Sequence, residues 1–148
     1  MPVLFSRSCQ YAMRAVLYMA TQPSDKFHYI KDLSAHLGIP LHFLAKIFQN
    51  LAKKGILNSH KGRNGGFSLG KNPKKTRLLE IIEAVDGLES FESCVMGLSS
   101  CSKKTPCPIH DTWTVIREEL RQMLSQQSIE DFAKNLNGKE TVLNIKRA

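Results

Sequence analysis

The sequence has no acidic residue between positions 33 and 79, although the whole chain carries 13 Asp and Glu residues. The same stretch holds nine of the 21 Lys and Arg residues, so it supplies essentially all of the formal net charge of +8. A block with one charge sign predicts an anionic partner, since neutralised phosphates release counterions on binding. On charge alone, a solvated basic face is an equally good interpretation.

Other absences narrow the class of protein. No apolar run approaches the roughly 20 residues that a membrane span needs. Arg7 and Arg14 interrupt the apolar N-terminal segment and no small-residue cleavage site follows, so no signal peptide is expected. The four cysteines include no Cys-x-x-Cys pair and no Gly-Lys-Ser/Thr run opens a helix, which weighs against a thiol oxidoreductase and a P-loop. We therefore expect a cytoplasmic protein that is not an enzyme.

The basic stretch carries the signals of a helix-turn-helix. Apolar residues recur at helical spacing over residues 30–37 and again over residues 41–51. Gly38 and Pro40 separate the two segments, because glycine readily ends a helix whereas proline can begin one. Two helices joined by such a short turn form a helix-turn-helix.

A β-hairpin is predicted directly after these two helices. Two short segments, residues 56–59 and 67–69, flank the Gly-rich loop of residues 60–66. A hairpin in this place makes a winged helix. The fold class is therefore mainly α, a winged helix-turn-helix with a small β-hairpin wing and a long C-terminal dimerisation helix.

Three shorter helices are also expected outside the helix-turn-helix. The first covers residues 8–21, the second is capped by Thr76 and closed by Asp86, and the last begins after Ser128 and runs to Leu136. Residues 24–29 are expected to be a connection or a short edge segment. The expected organisation is a winged-helix DNA-binding domain over residues 1–88, a cysteine-rich loop over 89–108, the long and last helices over 109–136, and a tail over 137–148.

A long helix is predicted to begin at Pro108, because proline fits the first position of a helix. The negative charge of Asp111 is favourable near the positive N-terminal end of the helix dipole. Its apolar residues alternate at spacings of four and three, as in a helix that packs along another helix. That partner is either another helix of the chain or a second copy, and we favour a symmetric homodimer because palindromic half-sites need a twofold partner. The expected interface is Ile109, Trp113, Ile116, Leu120 and Met123 or Leu124, of which we assign Leu124.

Three cysteines, Cys94, Cys101 and Cys107, lie in a loop without helical or strand period. His110 follows Cys107 by three residues, so both side chains reach one centre from one helical face. Three thiolates and an imidazole suit an iron–sulfur cluster or tetrahedral zinc, and a metal-free thiol switch is the third alternative. The absence of a tight cysteine knuckle argues mildly against zinc.

The sequence resembles the bacterial Rrf-type winged-helix regulators, the family of the IscR-, NsrR- and RirA-like proteins. The resemblance covers residues 1–130 and lies in the wing segment 55–69, the preceding helix 43–51, Tyr11-Ala12 in the opening helix and the three-cysteine loop. It implies a homodimeric DNA-binding regulator, here a repressor, whose iron–sulfur cluster senses cluster supply, nitric oxide or redox state. The alternative is a thiol-based or zinc-stapled DNA-binding protein without a cluster.

Two departures from the family pattern limit what the resemblance implies. The first cysteine spacing is one residue longer than the five-and-five pattern, so the cluster type, 2Fe–2S or 4Fe–4S, stays open. His110 matches the histidine ligand of IscR-like members, and we assign it as the fourth ligand. Other members take a carboxylate from the partner's first helix, where Gln10 stands in this sequence beside Cys9.

The expected DNA contacts come from the second helix of the helix-turn-helix and from the wing. Polar side chains on the helix can hydrogen-bond base edges, and an aromatic one can contact a thymine methyl group. Basic wing residues are expected to enter the minor groove or to lie along phosphates. The partner is double-stranded DNA with a pseudo-palindromic operator, with no membrane and no small-molecule substrate. The contact residues are His42, Phe43, Lys46 and Gln49 on the helix, and Lys61 and Arg63 on the wing.

Overall fold

The computed structural model describes residues 4–62 and 66–144. The fold class is confirmed, since these residues form helices around one two-stranded antiparallel hairpin. None of the described helices is long and apolar enough to cross a membrane. In chain order the elements are α1 (Arg7–Ala20), α2 (Ile30–Leu37), α3 (Leu41–Lys53), β1 (Leu57–His60), β2 (Gly66–Leu69), α4 (Leu78–Asp86), α5 (His110–Gln126) and α6 (Ile129–Lys134), with short 3-10 helices at Glu89–Phe91 and Glu140–Leu143.

The helix-turn-helix consists of α2 and α3, with α2 over the predicted residues. Gly38 ends α2 with a φ of 71°, a left-handed conformation that glycine adopts at little cost. The hydroxyl of Ser34 donates a 2.6 Å hydrogen bond to the carbonyl of Ile39, which ties the turn back to α2. Leu37 and Leu44 are fully buried on either side of this turn, so the two helices share one core.

The wing is a two-stranded hairpin that one β-bridge joins to the segment before α2. Strands β1 and β2 pair antiparallel with Leu57 opposite Leu69. His28 forms a β-bridge with Phe67, with each backbone N–H 2.8 Å from the other's carbonyl oxygen. Of the two alternatives for residues 24–29, the short edge segment therefore agrees with the structure, since His28 pairs with the wing. The ring of Phe67 packs edge-on against Phe48, with ring centroids 5.1 Å apart, and this contact anchors the wing to α3.

Two predicted helix starts are wrong. The N-cap of α4 is Arg77 rather than Thr76, because the Thr76 hydroxyl donates instead to the carbonyl of Asn72 at 3.1 Å. Helix α5 begins at His110 rather than at Pro108, because the chain first makes a turn in which the His110 N–H donates to the carbonyl of Cys107. The cap of α6 is as predicted: the hydroxyl of Ser128 accepts a 3.1 Å hydrogen bond from the Asp131 N–H.

The core forms around α1, whose buried side chains meet α3, α4 and α6. Ala12 and Val16 on α1 are fully buried, as are Ile81 on α4 and Ile129 at the start of α6. Helix α5 differs from the others, since Leu124 is its one buried residue. Most of the length of α5 is thus uncovered by the rest of the described chain.

Candidate metal centre and nucleic-acid surface

The three loop cysteines converge at the start of α5. Their sulfur atoms all lie within 4.8 Å of one another, and Cys94 Sγ is 3.6 Å from Cys107 Sγ. Cys101 Sγ is 3.1 Å from His110 Nδ1. The fold therefore brings together the four side chains that the sequence predicts as metal ligands. All four are half-buried, so a bound metal would be partly shielded from water.

Backbone turns produce this convergence. Gly97 has a φ of 74° and its N–H donates to the carbonyl of Cys94 at 2.9 Å, which reverses the chain after the first thiol. The N–H of Cys101 bonds the carbonyl of Leu98, and a further turn closes between Ser102 and Thr105. Each cysteine lies next to such a turn, so residues far apart in sequence face a common centre.

Two side chains of α5 hold the segment that precedes Cys94. The indole N–H of Trp113 donates to the carbonyl of Ser93 at 2.9 Å. The guanidinium of Arg117 donates to the carbonyls of Glu92 at 2.9 Å and Ser93 at 3.0 Å. We call these two side chains the clamp. The sequence pattern placed Trp113 only at an interface and gave no role to Arg117. Both side chains bond main-chain carbonyls, which every residue has, so no sequence motif marks the contact.

The thiols differ in their protonation. Backbone N–H groups, first that of Leu98 and then that of Met96, lower the pKa of Cys94 to about 7. Burial raises the pKa of Cys107. Burial, and next the carboxylate of Asp86, raise the pKa of Cys9 to about 12. Cys94 is thus partly thiolate at neutral pH and ready to bind a metal, whereas Cys9 is a fully buried core residue.

The predicted DNA-contact residues on α3 share one exposed face. His42, Lys46 and Gln49 are exposed, at spacings of four and three along the helix. Phe43 is 54% exposed, and its ring meets Tyr11 edge-on with centroids 6.3 Å apart. On the wing, Lys61 is exposed, while Arg63 lies outside the described residues.

The predicted interface residues of α5 divide into two groups. Ile109 and Ile116 are 43% and 49% exposed, whereas Leu124 is only 4% exposed and belongs to the core. Met123 is 49% exposed and lies seven residues after Ile116. Ile109, Ile116 and Met123 are thus exposed apolar side chains at intervals of seven residues. Trp113 and Leu120 are half-buried along the same helix.

Residues 5–135 match the family described as "Rrf2: Iron-dependent Transcriptional regulator". The chain is 30% identical over 126 residues to the HTH-type transcriptional regulator IscR of Xenorhabdus nematophila, over 85% of this chain and 76% of that protein. It is 28% identical over 137 residues to the HTH-type transcriptional regulator NsrR of Shouchella clausii, over 92% of each.

A solved structure shows the same fold. CymR, the global cysteine regulator of B. subtilis, superposes with a TM-score of 0.74 and 21% identity, covering 91% of this chain and 98% of that one. The shared fold agrees with the helix-turn-helix and the wing described above. This chain therefore belongs to the Rrf2 family, and it is a transcriptional regulator rather than an enzyme.

Proposed function

We propose that this chain acts as a homodimeric DNA-binding repressor whose affinity for a pseudo-palindromic operator responds to an iron–sulfur cluster. The observation that carries the proposal is the convergence of three thiols within 4.8 Å at the start of α5. Thiolates are the usual ligands of iron–sulfur clusters. The signal is cluster supply, nitric oxide or redox state, as the family resemblance implies.

The donor atoms fit such a group. Two thiolates that bind one metal ion at about 2.3 Å lie roughly 3.8 Å apart in a tetrahedral site, close to the 3.6 Å between Cys94 and Cys107. Cys101 and His110 form a second close pair. These four side chains would hold an iron–sulfur cluster of either type, with His110 in the place of a fourth thiolate. When bound, the cluster would supply a redox-sensitive centre that ties the loop into one conformation.

Charge and exposure support the DNA partner. His42, Lys46 and Gln49 offer hydrogen-bonding groups on the exposed face of α3, and Phe43 offers an apolar one for a thymine methyl group. The acid-free stretch 33–79 surrounds them with positive charge, which favours binding to phosphates.

The uncovered face of α5 supports the homodimer. Ile109, Ile116 and Met123 repeat every seven residues and are each more than 40% exposed. A heptad seam of this kind packs against a twofold-related copy and buries all three side chains. The dimer would carry two α3 helices, one for each half of a palindrome.

The clamp connects the cysteine loop directly to α5, the proposed dimer helix. Trp113 and Arg117 lie on α5, yet their hydrogen bonds go to the carbonyls just before Cys94. A loop that changes conformation on losing its cluster therefore acts on α5, and through the seam on the spacing of the two α3 helices. Couplings of this kind commonly change affinity by about 5- to 150-fold, and operator DNA must change cluster stability by the same factor.

Anaerobic purification followed by a visible spectrum and assays for iron, sulfide and zinc tests the cofactor. Operator affinity is then compared at one salt concentration for holo protein, apo protein, Cys101→Ala and the control Cys9→Ala. We expect Cys101→Ala to lose the chromophore and bind like apo protein, and Cys9→Ala to keep both properties. Equal affinities for all four proteins would rule out a cluster-dependent switch.

A zinc-stapled loop is the second candidate. The mutual distances of the three sulfurs, all within 4.8 Å, also suit a single tetrahedral ion with His110 nearby. Zinc without sulfide in the purified protein would favour this candidate. Protein that contains neither metal and has oxidised thiols would favour the thiol-based alternative.

A further inference from the structure

A cavity of about 340 Å³ lies between α1, α2 and the segment that pairs with the wing, away from the cysteine loop. Its size is at the lower end of the range for small-molecule sites. Aromatic rings form most of its wall. Tyr18 and His36 have ring centroids 4.6 Å apart, and Phe27 and Tyr29 have centroids 5.5 Å apart. We call this cavity the aromatic pocket, and its remaining lining residues are Lys26, His28, Asp32 and Leu33.

The buried polar group in this wall is the imidazole of His28. His28 is only 6% exposed, and its ring makes no hydrogen bond with any residue of the described ranges. Its backbone N–H and carbonyl are both engaged with Phe67, which holds the residue in place. Burial, and next the charge of Lys26, lower the pKa of His28, so the ring is neutral at pH 7. A neutral imidazole offers one donor and one acceptor to a molecule in the pocket.

Two opposite charges accompany the rings. Lys26 and Asp32 both line the pocket and are both exposed. The Lys26 amino group reaches Gln22 Oε1 at 3.2 Å and makes no ion pair with a described acid. The carboxylate of Asp32 has no described basic partner either. A ligand that carries one negative and one positive group on an aromatic body matches both charges and the aromatic walls.

The pocket also adjoins the wing. The ring centroids of Phe27 and of His60 on β1 lie 4.6 Å apart. Gly66 on β2 packs directly against the Phe27 ring, since a Cβ at this position would come within 2.7 Å of it. His28 is bridged to Phe67 on the same strand. A molecule that displaces Phe27 or His28 therefore also displaces the wing strands that contact them.

We propose that the aromatic pocket binds a small zwitterion with a flat aromatic side chain, that is, an aromatic amino acid, and that its occupancy shifts the wing. The side chain packs between the rings, His28 hydrogen-bonds the ligand, Asp32 pairs with its ammonium and Lys26 with its carboxylate. The effect on DNA, though not the binding itself, rests on the proposed function.

Isothermal titration calorimetry of the full chain near neutral pH, without DNA, tests the site. The probes are L-phenylalanine and L-tryptophan, with phenethylamine and 3-phenylpropionate as analogues that each lack one charge. We expect saturable binding of an amino acid and binding at least about tenfold weaker for each analogue. Asp32→Asn should weaken binding of the amino acid by a similar factor, whereas Asp25→Asn, an exposed acid outside the pocket, should not.

No saturable heat with either amino acid up to about 10 mM would overturn the site, as would an Asp32→Asn variant that binds like the wild type. The operator assay is separate. Saturating amino acid should change operator affinity by about fivefold or more in the wild type and Asp25→Asn, but not in Asp32→Asn. Binding by calorimetry with unchanged operator affinity would overturn the coupling to the wing, and it would do so independently of whether the cysteine loop holds a cluster.

Discussion

The clamp is expected to set the affinity of the cysteine loop for metal. Trp113→Phe removes the indole N–H that bonds Ser93 and keeps an aromatic ring in its place. Arg117→Gln removes the two bonds from the guanidinium to the carbonyls of Glu92 and Ser93. Both changes leave the thiols and His110 in place. Trp113→Phe also leaves the charge of the site unchanged, so a loss of affinity in that variant comes through the position of the loop.

The size of the effect follows from the hydrogen bonds. A neutral hydrogen bond contributes about 0.5–1.5 kcal/mol net, so Trp113→Phe should weaken metal binding by roughly two- to tenfold. The bonds of Arg117 are charge-assisted but solvent-exposed, and water competes for the guanidinium. We therefore expect a loss of similar size for Arg117→Gln. Because both side chains bond the Ser93 carbonyl, the double variant should lose less than the sum of the two.

Titration of the reduced apo protein with Co²⁺ measures this affinity, since the thiolate-to-cobalt absorption reports the cysteines directly, whatever the natural metal. Arg121→Gln is the matched control, because Arg121 lies one turn later on α5, is exposed and loses the same charge. Trp113 is the single tryptophan of the chain, so its fluorescence during Zn²⁺ binding gives a second signal in the Arg117 variant. Wild-type cobalt affinity in both clamp variants, with unfolding temperature unchanged, would refute the reasoning.

Three further predictions concern the seam, the wing and the thiols. Ile116→Lys should convert a dimer to a monomer in sedimentation, since each of the two copies loses about 1.5–3 kcal/mol of apolar burial. Val115→Lys is the control and should stay dimeric, because Val115 is also exposed but lies outside the proposed seam; a dimeric Ile116→Lys variant would contradict the seam. Lys61→Ala should lower the slope of log affinity against log salt by about one, and an unchanged slope would remove Lys61 from the interface. In apo protein, iodoacetamide should modify Cys94 at a rate that rises as pH increases through about 7, where its thiolate forms. Buried Cys9, whose pKa is raised to about 12, should stay unmodified in mass spectra, and its early modification would contradict its placement in the core.

The local features of this chain could be predicted from the sequence because they depend on neighbouring residues. Apolar spacing and Gly38 determine α2, and the predicted residues 30–37 agree with the structure. The hairpin follows from two short strands around a Gly-rich loop, and the cap of α6 follows from Ser128. The spacing of the cysteines likewise indicated a metal site before their distances were known.

Tertiary structure decided the features that depend on residues distant in sequence. Thr76 is not a cap because its hydroxyl donates to a carbonyl in the preceding turn. Leu124 is buried in the core cluster, while its neighbour Met123 is exposed. Neither feature can be predicted from the spacing of apolar and polar residues alone.

The clamp and the aromatic pocket have the same explanation. Trp113 bonds a carbonyl 20 residues earlier, and a carbonyl is present at every residue, so no side-chain pattern marks it. The pocket joins Tyr18 of α1 to His36 of α2 and to His28, whose place is fixed by pairing with the wing. Packing of separate elements, rather than any local pattern, therefore places among aromatic rings an imidazole that makes no hydrogen bond to any described residue.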